Sequence, residues 1–582
     1  MRRFLTVLGA LAVLAAFPVP AHADPRPAPN VAVILPTGDL VSMVDGSPII
    51  ERAASRQHVP FVTRSAGGRV SVAATDAPQS PAVFQAGAPA EARATRTAPI
   101  HEVTLVHLGF DGQPARFHNT SLLAGDMTEY FAYDPDGTET ISVPAGRYVL
   151  SSAISPDDRA DPRAAFLVQP VLDVTGDITV VLDARAGKLS SLSVPDAEVV
   201  EVLGSVGFTY RTDAGTAEIG VAGSWLDQLY TAQLGPATPV DGFASSVSAV
   251  WSTQNATRTY NIRYNRNGTM ISGYQRAVRP AELTTVTMTY AAGNEQGMRG
   301  SWYAVSRLPG QDVHPAAVGL PVQLPSTVVR YFNNDGGAVQ WRSRVYEVAE
   351  SCFGCSVTTG AWTTYRPGTA VTEAWNRAVF SPSPGTVSRA GDVISVDLPM
   401  YSDGAAGRAG DSGDAGTTVL FRDGVEAGRE EWGGIGTFTV PPAGARYRLE
   451  ARSQRGSPYA LSTSVTASWG FRSARTAQDR PLPLWGIRFA PRLDEHNTAP
   501  AGRDFVIPVV LTPAAGAQVG KLREVTVDVS YDDGATWTRA PYAAGVALVR
   551  HPAGGGFVSL RASLRDSDGN TASVTVLHAY RI

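Results

Sequence analysis

The feature that most constrains this chain is a strict two-residue alternation of apolar side chains, repeated in short segments with turn formers between them. Val286, Met288 and Tyr290; Val465, Ala467 and Trp469; Val525, Val527, Val529 and Tyr531; and Val574 and Val576 each line one face of an extended strand. Outside the N-terminal twenty or so residues no long stretch keeps helical spacing, so helices should be short and few. The 57 glycines and 41 prolines show no collagen period and serve the turns that such strands require. With 43% hydrophobic and 18% charged residues, the chain has apolar material for several cores and too little charge for global disorder. Its 582 residues correspond, at roughly 150 per domain, to about four domains. The expected class is all-β: tandem β-sandwich modules behind a small N-terminal β-unit. A net charge of -4, with Lys188 and Lys521 the only lysines, supplies no broad cationic field for a phosphate backbone, which argues against nucleic acid as a partner.

The N-terminus reads as a secretory signal peptide. Arg2 and Arg3 precede an apolar run from Phe4 to Phe17, too short for a stable span, and the triplet Ala21-His22-Ala23 before Asp24 suits a peptidase with small pockets. Cleavage is expected between Ala23 and Asp24. The spacing of the Arg pair to Phe4 and Leu5 departs by one from the twin-arginine pattern, which favours the general secretory route. No other apolar run approaches eighteen residues, so the expectation is an extracellular protein without a membrane span after signal removal.

Export bears on the two cysteines. Cys352 and Cys355, in Ser-Cys-Phe-Gly-Cys-Ser, are expected to close a small disulfide ring. A redox pair needs a βαβ context, whereas the flanks here read as strands, and zinc needs two further ligands. The nearest histidine in sequence is His314.

Composition also marks the boundaries. Residues 76–98 are Ala- and Pro-rich without a period and read as a linker, with the small β-unit at 24–75 before it. Interruptions near Pro195, Ser381 to Pro384 and Ala474 to Pro483 divide the remainder into modules at 99–195, 196–380 (with the cysteine pair), 381–475 and 476–582. In the first module Ile141-Ser142-Val143-Pro144-Ala145-Gly146-Arg147-Tyr148 reads as strand, Pro-Ala-Gly turn and strand, a hairpin that resembles the prealbumin-like or carboxypeptidase-regulatory-like β-sandwich. Phe438-Thr439-Val440-Pro441-Pro442-Ala443-Gly444 echoes it in the third. The last module is expected to be an Ig-like sandwich.

Catalytic patterns are short where they occur. Gly410-Asp411-Ser412-Gly413 resembles the nucleophile segment of trypsin-like proteases and the aspartate segment of subtilases, but the histidine and serine segments that would complete either triad are missing. The segment 402–416 is therefore read as a flexible loop. No Gly-x-Ser-x-Gly, His-Glu-x-x-His or Walker loop occurs. Catalytic, cofactor-binding and metal-binding residues are accordingly expected to be absent. Asp566-Ser567-Asp568-Gly569-Asn570 and Asp532-Asp533-Gly534 have carboxylates that suit calcium, yet neither continues into an EF-hand loop, and both are read as hairpin turns. Ser530, Asp532, Gly534, Thr536 and Trp537 match the Asp-box pattern of sialidases and other β-proteins. It occurs once, so it marks a structural turn: Asp and Ser oxygens accept backbone N–H bonds, Gly takes positive φ and Trp packs beneath.

Several segments taken in order resemble the non-catalytic flanks of large secreted subtilisin-like serine peptidases of high-GC bacteria. They are Val31 to Val44 with Thr37-Gly38-Asp39; Leu108-Gly109-Phe110-Asp111-Gly112; Val143 to Tyr148; Tyr365-Arg366-Pro367-Gly368 with Trp375-Asn376; Leu398-Pro399-Met400 with Asp403-Gly404; Ser468 to Ser473; Leu493 to Ala499; and Phe557 to Arg561. Where those peptidases carry the catalytic domain this chain has its Ala/Pro linker, so no triad residue inherits a role. The resemblance implies accessory modules and a secreted, non-catalytic protein that binds a protein or cell-envelope polymer. Two alternatives are an enzyme with an unrecognised site, for which Ser412 is the residue to test, and a trans-acting helper or decoy of a related protease.

Overall fold

The computed structural model describes residues 32–44, 46–85, 98–292, 299–311, 315–349, 352–412 and 415–582. Among them are 44 β-strands, and the only helices are five 3-10 turns of three residues. The alternation seen in the sequence is used directly. Val286, Met288 and Tyr290 point inward from strand Thr284–Tyr290, and Val465, Ala467 and Trp469 do so from Ser464–Ser473.

Strands with both faces buried explain how the first half is stacked. In Gly146–Ser155, Tyr148, Leu150 and Ile154 face one core while Val149 and Ala153 face another. Strand Ala164–Val174 does the same, with Ala165 and Leu167 on one side and Phe166 and Val168 on the other. These strands belong to a seven-stranded sheet that forms a middle layer. On one side lies a three-stranded sheet of Thr138–Pro144, Ile100–Leu108 and Ile178–Asp183. On the other lies a ten-stranded sheet carrying Phe208, Val247 and Ile262. The far face of the ten-stranded sheet buries Val286, Met288 and Phe332 against Trp302, Trp341 and Val345 of a five-stranded sheet.

The expected boundary at Pro195 therefore does not separate cores. Strands Leu229–Gln233 and Tyr274–Ala277, from beyond it, complete the middle sheet. The later boundaries are bridged too. Cys352–Thr359 pairs with Ala409–Ser412, and Ser464–Ser473 pairs with Thr571–Arg581, so that one core runs from Ala378 to Tyr580. A proline-rich loop reports a turn, and it says nothing about which strand the chain pairs with next.

Three local expectations need correction. The Pro144-Ala145-Gly146 segment is not a hairpin turn: Thr138–Pro144 pairs with Ile100–Leu108, whereas Gly146–Ser155 pairs with Phe117–Ala124 and Ala164–Val174 in the facing sheet. The chain crosses between layers there, and the Tyr148 hydroxyl donates back to the Pro144 carbonyl at 2.6 Å, pinning the corner. Pro441 to Gly444 makes the same kind of crossing. The linker is folded over its first half, since Ala82–Gln85 pairs with Arg69–Val72; residues 86–97 lie outside those described. The loop read over 402–416 contains strand Ala409–Ser412.

The N-terminal unit is likewise part of the stack. Its strand Phe61–Ala66 pairs with Gly215–Gly223, joining the ten-stranded sheet. The Thr37-Gly38-Asp39 motif fastens it: the buried Asp39 carboxylate accepts from Thr37 Oγ1 (2.6 Å), the Ala53 amide (3.0 Å) and Arg56 (2.9 Å). Arg56 also holds Asp76 at 2.7 Å. A buried carboxylate needs such partners to offset its lost hydration.

Candidate functional site

A cleft of about 550 Å³ opens where the N-terminal strands meet the first sandwich. One wall is the sheet face bearing Arg64, Arg69, Ser71 and Val83; the other is strand Phe117–Ala124 with the segment that follows it. That strand is covered on its outer side at Leu122 and Leu123 by the two-residue strand Glu129–Tyr130, and at Ala124 by bonds to Met127 and Thr128. Among the described residues His118 to Ser121 have no strand partner on that side, and the edge is covered all the same, since His118, Thr120 and Ser121 are at most 2% exposed. Arg64, itself buried, reaches this edge, donating to the Asn119 carbonyl at 3.3 Å and lying 3.4 Å from Glu129. Burial lowers the Arg64 pKa, with Glu129 opposing that shift. The mouth carries Phe131 (65% exposed) and Val83 (48%), with Pro78, Pro81 and Tyr133 beside them.

Behind the cleft wall three chemically active side chains occupy core positions. His107 extends the inward row Val103 and Leu105, while Glu139 begins the inward row Ile141 and Val143 on the neighbouring strand. His118 enters from the facing sheet and also lines the cleft. All three are buried, and one ligand atom from each lies within 4.8 Å of the others. The imidazoles stack with centroids 3.8 Å apart and planes 14° from parallel. His118 Nε2 is 3.3 Å from Glu139 Oε2, and His107 Nε2 is 3.8 Å from Glu139 Oε1.

The backbone fixes the ring orientations. His107 Nδ1 faces the Gly137 carbonyl at 3.2 Å, and His118 Nδ1 faces the Ala115 carbonyl at 3.0 Å. A carbonyl only accepts, so each Nδ1 carries a proton and each Nε2 turns inward, that of His118 to Glu139 and that of His107 to Thr120 Oγ1 with Glu139 beyond it. Gly137, at φ +80°, ends the turn Asp134-Pro135-Asp136-Gly137. A Cβ there would sit 3.0 Å from the Ala115 amide nitrogen, so the tight approach of these loops requires glycine. Thr120 Oγ1, also bonded to Ser152 Oγ (2.7 Å), lies 2.7 Å from His107 Nε2. Burial, reinforced by the neighbouring His118, lowers His107 to about 3, so it is neutral in this setting. Burial raises Glu139, and His118 opposes that shift.

The sequence reading named none of these three residues. Its signal was a polar side chain at the inward parity of an otherwise apolar strand, in His107 after Val103 and Leu105 and in Glu139 before Ile141 and Val143. The residues it did name lie elsewhere. Ala21, Ala23 and Asp24 are outside the described residues, as are the side chains of Cys352 and Cys355, whose backbone runs in strand Cys352–Thr359. Ser530, Asp532, Gly534, Thr536 and Trp537 form one turn. The Gly534 amide donates to Ser530 Oγ (2.9 Å) and the Thr536 amide to Asp532 Oδ1 (2.8 Å), with Gly534 at φ +86° above the Trp537 ring. Asp566 accepts from the amides of Asp568, Asn570 and Gly520 and from the side chains of Trp485 and Asn570, so both oxygens are committed within the protein. Ser412 is buried in an edge strand opposite Ser356, beside Asp411, which burial raises to about 7. His551 is engaged with Tyr531 and His578 with Asp533.

No family model matches the chain, and no curated protein matches it. Among solved structures it is similar to the N-terminal eight Ig domains of Down Syndrome Cell Adhesion Molecule, with 9% identity and TM-score 0.12 over 94% of this chain and 93% of that one. It is also similar to the Bacillus anthracis TIE protein, with 8% identity and TM-score 0.12 over 58% and 70%. A third is Drosophila OTK, extracellular domains 3-5, with 12% identity and TM-score 0.12 over 52% and 99%. A TM-score of this size marks no common arrangement of strands. Among the described residues no helix is long and apolar enough to cross a membrane.

Proposed function

We propose that this chain is an exported, non-catalytic binding protein that holds an extended segment of a protein partner in the cleft between its N-terminal strands and its first sandwich. The observation that carries the reading is the cleft of about 550 Å³ itself, with Arg64, Asn119 and Glu129 in its lining and the exposed Phe131 and Val83 at its mouth. An apolar mouth beside a polar lining suits the alternating side chains of an extended polypeptide better than the uniform hydroxyls of a glycan. Phe131, Val83, Pro78 and Pro81 at the mouth supply apolar contact for alternate side chains of such a segment. Export rests on the sequence from Arg2 to Ala23, and descent from the accessory regions of subtilisin-like peptidases rests on the ordered segments that resemble them.

The test is selection of a random peptide library on the mature chain, with counter-selection on a Val83→Asp/Phe131→Ala variant. The reading expects extended peptides that bind the parent and lose binding to the variant while the variant keeps its melting temperature. Peptides that bind both equally, or soluble envelope glycans that compete them away without touching the cleft, would sink it.

A further inference from the structure

Three polar side chains in the interior of one sandwich call for an explanation: His107 and Glu139 stand in inward rows of Val, Leu and Ile, and His118 is fully buried against them. Burying a polar group without full partners is costly, and burying a charge more so. Here Glu139 Oε2 has one nitrogen at hydrogen-bond distance, and Oε1, also buried, has no hydrogen-bond partner. Both histidines anchor Nδ1 on a backbone carbonyl, which turns Nε2 of each inward, within 3.8 Å of that carboxylate. An imidazole whose far N–H is held by a carbonyl, and whose other nitrogen is met only by a hydroxyl (His107) or a carboxylate (His118), has the arrangement of a metal-ligating histidine.

We propose that His107 Nε2, His118 Nε2 and the Glu139 carboxylate bind a divalent transition-metal cation of the zinc class, clamping the two sheets of the first sandwich together. Two imidazoles and one carboxylate form a donor set that zinc accepts, with a fourth position left over. The ion satisfies the orphaned Oε1, and the Thr120 hydroxyl turns its proton to Ser152 Oγ, 2.7 Å away. His118 lines the cleft, so an ion in solution has a route in. The competing arrangement is a proton in place of the metal, held between His118 and Glu139, which still leaves Oε1 without a partner.

The experiment uses the mature full chain with Cys352→Ser and Cys355→Ser, which removes thiolate ligands. The chain is freed of metal with a chelator and titrated with Co²⁺ and then Zn²⁺. The proposal expects one Co²⁺ per chain with the visible absorption of a four-coordinate site, displacement by Zn²⁺, and a melting temperature that rises with Zn²⁺. His118→Asn and Glu139→Gln should each abolish the absorption. Should those variants fail to fold, X-ray absorption of the zinc-loaded parent still decides, since it must show two imidazoles and oxygen around the ion. Absence of cobalt binding by the folded parent, binding unaffected by folded variants, or a spectrum without imidazole would overturn the proposal and leave the proton arrangement in its place.

Discussion

Truncating Phe208 should loosen two expected modules at once. Its ring stacks on Phe243 in its own sheet (5.1 Å between centroids) and on Phe166 in the middle sheet (6.2 Å), and all three are at most 2% exposed. Phe→Ala at a buried site costs about 3–5 kcal/mol, from lost apolar transfer and the cavity left behind. Phe208→Ala should sit near the top of that range, because each aromatic pair adds about 0.5–1.5 kcal/mol beyond area. Hydrogen exchange read by mass spectrometry separates shared from independent cores. In the variant, amides of Gly146–Ser155 and Ala164–Val174 should lose protection together with those of Val200–Thr212 and Phe243–Ser252. Loss confined to Val200–Thr212 and Phe243–Ser252, with the two earlier strands unchanged, would refute the continuous three-layer core.

Three further outcomes follow from particular groups. Burial raises Glu201 from its ordinary 4.5 to about 8, with Asp227 adding and the Leu226 N–H opposing. The folded state therefore holds its proton more tightly. That stabilisation is complete below pH 4.5 and is lost as pH rises through about 8, so a Glu201→Gln variant, which keeps the acceptor for Leu226, should gain stability relative to the parent between those values. Parallel melting-temperature curves against pH would contradict this. Asp566→Ala should cost about 3 kcal/mol in a denaturant titration, because it strips hydrogen bonds from a charged, buried acceptor, while the exposed Asp568→Ala stays within about 0.5 kcal/mol; equal effects would mean the turn is not held by Asp566. Tyr148→Phe should cost about 1 kcal/mol by loss of the corner bond to Pro144, and an unchanged unfolding midpoint would show that bond to be idle.

What the sequence made legible was local. Val286, Met288 and Tyr290, or Val465, Ala467 and Trp469, reveal a strand and its buried face because the pleat acts at a spacing of two residues. Pairing acts at any distance, and there the reading failed. Pro144-Ala145-Gly146 looks the same whether the next strand folds back or crosses to the other layer, and only the partner near Ile100 decides. Both-face burial in Gly146–Ser155 was written in its run of small and apolar residues, Tyr148 through Ser155, which has no polar parity to expose to water. His107, His118 and Glu139 escaped because no motif spacing joins residues on three strands in two sheets. A search for polar residues at apolar parity would have found two of them.

The central functional proposal is that the cleft beside strand Phe117–Ala124 holds an extended peptide. It is tested most directly by amide exchange of the mature chain with and without a saturating cleft-binding peptide. Cleft binding predicts that amides of the lining segment Met127 to Tyr133 slow markedly, whereas those of the distant turn Ser530 to Trp537 change little. Unchanged exchange across Met127 to Tyr133 in the saturated complex would contradict it.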